Sequence, residues 1–226
     1  KYNLKVIEDN AQAIGSIYTF SNGEKKYTGT MGDIGTTSFY PAKNLGAYGD
    51  GGAIFTNNDK LAEKIRMIVN HGENKRYHHK IIGCNSRLDS LQAVILNIKL
   101  KYLDNYNSTR IIMADNYNKA FQNINNLQTP IEIDNSTHVY HQYTLKIFDG
   151  RRNELKDYLQ KNGIPTMIYY PIPLYKQEAF SNYVDDGYYL KNTEELSENV
   201  LSLPIHTEIE NSYQDFIIEK VLNFFK

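Results

Sequence analysis

The sequence predicts an α/β fold. Short segments rich in β-branched and aromatic residues alternate with longer segments in which apolar residues recur at helical spacing. Polar side chains follow two of the strand-like segments, with an acid after the first and a hydroxyl and a lysine after a later one. In open α/β sheets, ligands bind beyond the carboxyl ends of the strands. The sequence therefore predicts a ligand site at one edge of a sheet.

The first half of the chain is predicted to contain short strands followed by helices. Pro41 ends a β-rich segment, and Gly72 is suited to the C-cap of the first helix. Leu88, Leu91 and Val94 recur at helical spacing in a later one. The predicted elements are a strand over 4–7, a hairpin or loop over 21–34, strands over 36–40 and 53–56, a helix over 61–69, a loop over 73–87, and helices over 88–98 and 105–121.

A change in composition predicts a domain boundary. The segment 123–135 is rich in asparagine and contains one proline, which is typical of a connection between domains. We therefore predict one domain over 1–122 and a small α+β domain over 123–226. The second is predicted to contain strands over 140–148 and 166–170 and helices over 151–161, 193–201 and 212–225, with Thr193 as an N-cap.

The composition indicates a folded protein and argues against several classes of partner. Apolar residues make up 41% of the chain and charged residues 23%, so it can bury a core. The net charge is −1 and the basic residues are scattered, which argues against nucleic acid or an anionic membrane as partner. No apolar run reaches the roughly 18 residues of a membrane span. The single cysteine, Cys84, fits a reducing cytoplasm, and the six histidines lack metal-site spacing, so no metal is expected.

Lys43 is the candidate catalytic residue. It lies in Ser38–Gly46, between Asp9 upstream and the glycine cluster Gly49–Gly52 downstream. An acid after one strand, then a hydroxyl and a lysine after another, are what a pyridoxal 5'-phosphate (PLP) site requires. The lysine forms a Schiff base with the aldehyde, and the acid keeps the pyridine nitrogen protonated so that the ring accepts electrons.

Neighbouring residues favour this interpretation over the plainer ones, a surface lysine and a strand-end turn aspartate. Ser38 lies near the turn at Pro41, where a hydroxyl and backbone amides could hold a phosphate. A buried carboxylate needs a partner, and a pyridinium N–H would supply one for Asp9. Gln12 offers an amide to the phenolic oxygen of the ring, and Ala11 could pack against its face.

Four motifs, in this order, resemble those of the DegT/DnrJ/EryC1/StrS family of PLP-dependent sugar aminotransferases. They are Asp9–Ala13, Ser38–Gly46, Tyr48–Ala53 and Asn85–Ala93, and the resemblance continues through Tyr169–Leu174. It implies the PLP-dependent transferase fold of aspartate aminotransferase (fold type I). Residues 1–122 would be the C-terminal part of the PLP-binding large domain, and 123–226 the small C-terminal domain.

The resemblance assigns roles to five of these residues. Lys43 matches the lysine that binds PLP and moves the proton during transfer. Asp9 matches the partner of the pyridine nitrogen, and Gln12 the residue beside the phenolic oxygen. Ser38 matches a phosphate ligand. Asn85 matches an asparagine that reaches the PLP phosphate of the neighbouring subunit, so a homodimer with shared active sites is implied.

Three further residues are expected to bind substrate. Arg87 resembles a position that receives the anionic donor or sugar from the partner side, although a surface arginine at a helix start is an equal alternative. Tyr169 and Tyr170 lie where the family often shows His-Tyr-Pro, so Tyr169 stands in place of a histidine. Tyrosine cannot carry the positive charge that a histidine would offer a substrate carboxylate, so the replacement argues against a uronic acid and makes a neutral keto-deoxysugar easier to accommodate.

The implied reaction moves an amino group from glutamate to a dTDP- or UDP-linked keto-sugar, for surface glycans such as lipopolysaccharide. A PLP-dependent sugar dehydratase and a non-catalytic regulatory dimer remain alternatives, but related dehydratases carry histidine in place of the lysine. Proteins of this family are typically longer, and their N-terminal phosphate-binding loop and stacking aromatic are not visible here. We therefore expect an N-terminal portion to be missing from this chain.

Overall fold

The structure is a computed structural model that describes residue 2, residues 4–185 and residues 187–226. It divides into two compact units, the first formed by Lys1–Ser108 and Glu132–His141 and the second by Thr109–Ile131 and Gln142–Lys226. The domain boundary after residue 122 stays a prediction. Lys1, Asn3 and Asp186 belong to the predicted domains but lie outside the described residues.

The first unit is built around a three-stranded sheet with the order β1-β4-β5. Its elements are β1 (Ile7–Asp9), β2 (Ile17–Thr19), β3 (Lys25–Tyr27), β4 (Ile34–Ser38), β5 (Gly52–Phe55), α1 (Asp59–Val69), β6 (Glu73–Lys75), β7 (His78–His79), α2 (Ser90–Lys99) and the start of α3 (Leu103–Phe121). β1 and β4 are parallel, with Asp9 opposite Thr36, and β5 is antiparallel to β4. The chain segments that leave β1 and β4 therefore start from the same edge of the sheet.

Two hairpins flank this sheet. β2 and β3 form the first, which begins earlier than the predicted excursion over 21–34. β6 and β7 form the second, so the prediction of a plain loop over 73–87 was wrong there. Lys, His and Asn have low strand propensity, which hid this hairpin from the sequence. The chain can enter it because Gly72 has φ +77° and its carbonyl accepts from Lys80 N–H at 2.8 Å.

The helices of the first unit begin and end at residues suited to the purpose. Asn58 caps α1, because its side-chain oxygen accepts from the N–H groups of Lys60 and Leu61. Gly72 N–H returns to the carbonyl of Met67 at 2.7 Å and closes the last turn of α1. A single 3₁₀ turn joins α2 to α3. The buried cluster of this unit consists of Leu45, Ala47, Leu96 and Leu103.

The second unit packs helices against a three-stranded antiparallel sheet. After the rest of α3, its elements are β8 (Leu127–Gln128), β9 (Tyr143–Ile147), α4 (Arg152–Lys161), α5 (Lys191–Asn199), β10 (Val200–Leu203) and α6 (Asn211–Phe225), with 3₁₀ turns at Leu174–Lys176 and Glu178–Tyr183. β9 is the central strand, between β10 and β8. α4 packs on α6 and β10, and α5 packs on β9. Tyr117, Tyr143 and Leu201 are among its fully buried side chains.

Three predictions for this unit were wrong. The segment 166–170 is not a strand, because only Met167 pairs with β10, through Ser202, while Pro165 and Pro171 lack the N–H that a ladder needs. Residues 200–203 form a strand and not the end of a helix, since all four are buried beside β9. Thr193 lies inside α5, whose N-cap is Leu190.

Candidate active site

Asn10, the residue after Asp9, is held by three hydrogen bonds. Asn10 N–H donates to the carbonyl of Thr36 at 2.8 Å, and its carbonyl accepts from the Thr37 hydroxyl at 3.2 Å. Its side-chain oxygen accepts from the Thr28 hydroxyl at 2.7 Å. Because Asn10 is buried and held in this way, the carboxyl end of β1 places Asp9 at a defined position beside β4.

The side chains of Asp9 and Gln12 are exposed beyond this edge of the sheet. Oδ1 of Asp9 accepts from Ala11 N–H at 3.1 Å, which folds the chain into a turn. Among the described residues, neither the second oxygen of Asp9 nor the amide of Gln12 makes a hydrogen bond. Both groups could therefore bind a ligand without losing a partner in the chain.

Lys43 lies in a compact turn beyond β4. Its N–H donates to the carbonyl of Tyr40 at 2.8 Å, and Ala47 N–H returns to the carbonyl of Phe39 at 2.8 Å. The Ser38 hydroxyl accepts from Tyr40 N–H at 3.2 Å, so its own proton remains available. The Lys43 side chain is half-buried, and its Nζ makes no hydrogen bond or ion pair within the part of the chain that the structure describes.

The chain after Lys43 is anchored to α2. Lys99 Nζ donates to the carbonyl of Gly46 at 2.6 Å, and Tyr48 N–H donates to the Gln92 side chain at 2.8 Å. A Cβ on Gly46 would lie 2.3 Å from the carbonyl oxygen of Pro41, so only glycine fits there. The turn that carries Lys43 is therefore fixed at both ends.

Asn85 and Arg87 lie together in the segment between β7 and α2. Arg87 Nε donates to Asn85 Oδ1 at 3.1 Å, and both side chains are exposed. They border a cleft of about 640 Å³ that Thr37 on β4 and Asp50 also line. Neither Asp9 nor Lys43 is among the described residues that line this cleft.

Tyr169 and Tyr170 belong to the second unit. Both are exposed, and their rings contact each other edge to face at 5.6 Å. They border a pocket of about 430 Å³ together with Pro171, Pro173 and Leu196. The pocket is mostly apolar, which suits an uncharged ring more than a carboxylate.

No group of three or more metal-ligating side chains occurs within residues 2, 4–185 and 187–226. No helix among these residues is both long and apolar enough to cross a membrane. Cys84 is exposed, with a free thiol.

Sequence reasoning missed the side chains that position the Lys43 turn. Lys99 and Gln92 lie on α2, and nothing in their local sequence distinguishes them from other polar residues of that helix. Asn44 belongs to the motif around Lys43, but its buried partner, Asn107 on α3, is 63 positions away. Position in the motif could have drawn attention to Asn44, whereas no sequence signal identifies Asn107.

The chain matches the family model described as DegT/DnrJ/EryC1/StrS aminotransferase family over residues 1–222. It is 42% identical over 228 residues to a pleiotropic regulatory protein of Geobacillus stearothermophilus, covering 100% of this chain. It is 39% identical over 223 residues to UDP-2-acetamido-2-deoxy-3-oxo-D-glucuronate aminotransferase of Pseudomonas aeruginosa, covering 99% of this chain. In each case the chain spans 59% of the relative's length.

The fold is also that of a solved structure. DesV of S. venezuelae, in complex with a ketimine intermediate, superposes with a TM-score of 0.92 at 34% identity. The superposition covers 100% of this chain and 59% of DesV, which confirms the predicted α/β fold of the PLP-dependent transferases. The chain therefore belongs to the DegT/DnrJ/EryC1/StrS family of PLP-dependent aminotransferases.

Proposed function

We propose that the protein transfers an amino group from glutamate to the keto group of a nucleotide-linked sugar. The observation that carries this proposal is Lys43, a half-buried residue in a fixed turn whose amine has no partner among the described residues. An amine without a partner in the chain is available for covalent chemistry. A relative named as an aminotransferase of a UDP-linked keto-sugar supports UDP as carrier, and a relative named as a transaminase of a dTDP-linked amino sugar supports dTDP.

The donor set beside β1 and β4 fits PLP. When bound, PLP supplies an aldehyde that reacts with amines and a ring that accepts electrons. The oxygen of Asp9 that does not accept from Ala11 would accept a hydrogen bond from the protonated ring nitrogen, and the Gln12 amide would face the phenolic oxygen. The Ser38 hydroxyl would donate to the phosphate, and Lys43 Nζ would hold the aldehyde carbon.

Lys43 would also move the proton in both halves of the reaction. Its Nζ lies on a turn that is fixed at both ends, so as a free amine it would stay close to the reacting atoms. As a base it would take the proton from Cα of glutamate, and as an acid it would return a proton at the cofactor. In the second half of the reaction, the same amine would act in the reverse order and would deliver a proton to the sugar carbon. Ping-pong kinetics follow.

We infer that the active protein is a homodimer with shared sites. α2 follows Asn85 and Arg87 directly and exposes Leu91, Val94 and Ile98, which lie on one face at helical spacing. A second copy of the chain would cover this face, while Asn85 reaches the partner's PLP phosphate and Arg87 receives an anionic substrate group. Val94→Glu would then yield monomers in sedimentation velocity, whereas Glu63→Lys on α1 would leave the dimer intact. A dimer unchanged by Val94→Glu would contradict the shared site.

Substrate choice is assigned to Tyr169 and Tyr170. Their mostly apolar pocket and the lack of a positive charge at Tyr169 support a neutral keto-deoxysugar. A cytoplasmic role in the synthesis of surface glycans such as lipopolysaccharide is consistent with such a substrate. Comparing neutral and uronic keto-sugars as acceptors tests this assignment, because a strong preference for the uronic sugar would contradict it.

The deciding experiment mixes the intact purified protein with glutamate, PLP and a set of dTDP- and UDP-keto-sugars. Mass spectrometry should detect an aminated sugar nucleotide, and the protein should show the visible absorbance of bound PLP. Lys43→Ala should lose both, while Lys60→Ala, on the exposed face of α1, should keep both. Intact, folded protein that never binds PLP would refute the proposal.

A regulatory role is the second candidate, because the relative from G. stearothermophilus carries that name at 42% identity. Normal PLP binding without amino transfer to any sugar nucleotide would favour it. A third outcome, loss of water from the sugar, would have a different product mass and would indicate a dehydratase.

A further inference from the structure

Two buried asparagines connect the Lys43 turn to the chain that follows Asp9. Asn44 and Asn107 are 7% and 6% exposed. Asn44 Nδ2 donates to Oδ1 of Asn107 and to the carbonyl of Val139, each at 2.8 Å. Asn107 Nδ2 donates in turn to the carbonyl of Ile14 at 3.1 Å. Asn107 on α3 thus connects two segments that are distant in the sequence, the Lys43 turn through Asn44 and the segment after Asp9 through Ile14.

Hydrogen bonds also hold the segment between Asp9 and Ile14. Ala13 N–H donates to the carbonyl of Asn10 at 3.2 Å, and the Thr28 hydroxyl donates to the Asn10 side chain at 2.7 Å and lies 3.0 Å from the Ala13 carbonyl. Gly15 has φ +87°, and a Cβ there would lie 2.5 Å from Asn107 Nδ2. The turn after Asp9 therefore approaches Asn107 as closely as its backbone allows.

The two hydrogen bonds of Asn44 argue that its side chain does more than fill space. Both hydrogens of Asn44 Nδ2 are used, while its buried Oδ1 accepts no hydrogen bond from the described residues. An apolar side chain could fill the same space but could not make these two bonds, so the amide is suited to fixing a position. The fixed element at this position is the backbone of Asn44, the residue that follows Lys43.

We propose that Asn107 is a positioning residue. By bonding Asn44 on one side and Ile14 on the other, it fixes the Lys43 amine relative to the Asp9 carboxylate. The two groups that must bind opposite sides of one rigid ring are then held at a constant separation before the ring arrives. This inference rests on the proposed PLP site and adds a residue that touches neither cofactor nor substrate.

The test uses the intact protein and two measurements other than turnover. The first is the dissociation constant of PLP, from titration of the visible absorbance. The second is the rate at which acetic anhydride modifies Lys43 in the cofactor-free protein, from mass spectrometry of the Lys43 peptide. Failure of the unaltered protein to bind PLP would refute the proposed function and is seen before any variant is made.

Asn107→Leu removes both bonds at nearly constant volume, and Asn107→Asp keeps the acceptor for Asn44 but not the donor to Ile14. The dissociation constant should rise about tenfold in Asn107→Leu and less in Asn107→Asp, and the modification rate of Lys43 should change in the same order. The matched control is Asn118→Leu on the same helix, where a bond from Tyr143 Oη at 2.7 Å is lost. This control should lower thermal stability but leave both measurements within about twofold.

Unchanged PLP affinity and unchanged Lys43 reactivity in folded Asn107→Leu would overturn the proposal. If that variant does not fold, Asn107→Asp decides alone, and values equal to those of the unaltered protein would overturn it. Equal losses in Asn118→Leu and Asn107→Leu would also overturn it, because the effect would then reflect stability and not position.

Discussion

Glu8 Oε2 accepts a hydrogen bond from the backbone N–H of Gly29 at 2.8 Å. Its other oxygen, Oε1, accepts from Met31 N–H at 2.5 Å and from Gly32 N–H. One carboxylate therefore holds the segment between β3 and β4 beside β1. Because Glu8 immediately precedes Asp9, the same side chain also steadies the strand end at the candidate site.

Glu8→Ala should lower the free energy of unfolding by about 2–3 kcal/mol, because bonds to a charged acceptor are stronger than average and three N–H groups lose theirs. Glu8→Gln should lose less, since its one oxygen can still serve Met31 and Gly32. Urea denaturation measures both. Glu24→Ala, in an exposed ion pair with Lys26, is the control and should change stability by less than about 1 kcal/mol. Equal values for Glu8→Ala and Glu24→Ala would contradict the anchoring role.

Gly72→Ala should destabilise the protein strongly. Gly72 has φ +77°, and a Cβ there would lie 1.7 Å from the carbonyl oxygen of Ile81, so the β6–β7 hairpin would have to move. Gly23 has a similar φ of +85° but nothing within 4 Å. Gly23→Ala should therefore cost only the left-handed conformation, about 1–2 kcal/mol, and Gly72→Ala at least about 2 kcal/mol more. Thermal unfolding of both variants gives the difference, and similar midpoints would show that the hairpin yields easily.

The free energy of unfolding should decrease as the pH is lowered, because of His138. Burial lowers the pKa of His138, against the opposing effect of Glu132, and its Nδ1 accepts from Tyr140 N–H at 3.0 Å, a bond that needs the neutral ring. The folded state therefore takes up this proton at lower pH than the unfolded state. The contribution is complete above about pH 6.5, the ordinary pKa of histidine, and is lost as the pH falls below it.

Urea denaturation between pH 5 and pH 8 checks this prediction. His138→Gln should flatten the decline in the free energy of unfolding, whereas His78→Gln, at an exposed position on β7, should not. A decline of equal steepness in the unaltered protein and His138→Gln would assign the pH dependence to other groups.

Asp9→Asn should reduce the rate of amino transfer without preventing the binding of PLP. The substitution keeps the shape of the side chain and the bond to Ala11 N–H, but removes the negative charge that would hold the ring proton. Amino transfer should fall by about 100-fold or more, while PLP remains bound through Lys43. Asp59→Asn, in the first turn of α1, should leave the rate unchanged. Stopped-flow absorbance with glutamate measures the half-reaction, and an unaltered rate in Asp9→Asn would remove Asp9 from the site.

Local patterns predicted much of the first unit. Asp9 and Lys43 were proposed from motifs, Asp9 at the end of a short strand and Lys43 in the turn after a later one, and the parallel register of β1 and β4 is the common arrangement of such strands. The hairpin of β6 and β7 and the strand β10 were missed, since tertiary pairing overrides weak propensity in short segments. Asn107 could not be found at all, because its importance depends on a bond to a residue 63 positions away.

The turn around Lys43 closes on itself through backbone bonds and the contact of Gly46 with Pro41. The conformational entropy of this turn is therefore lost during folding, and binding of a ligand requires no further ordering of it. Binding of the cofactor should accordingly show no slow unimolecular phase from loop ordering before the Schiff base forms.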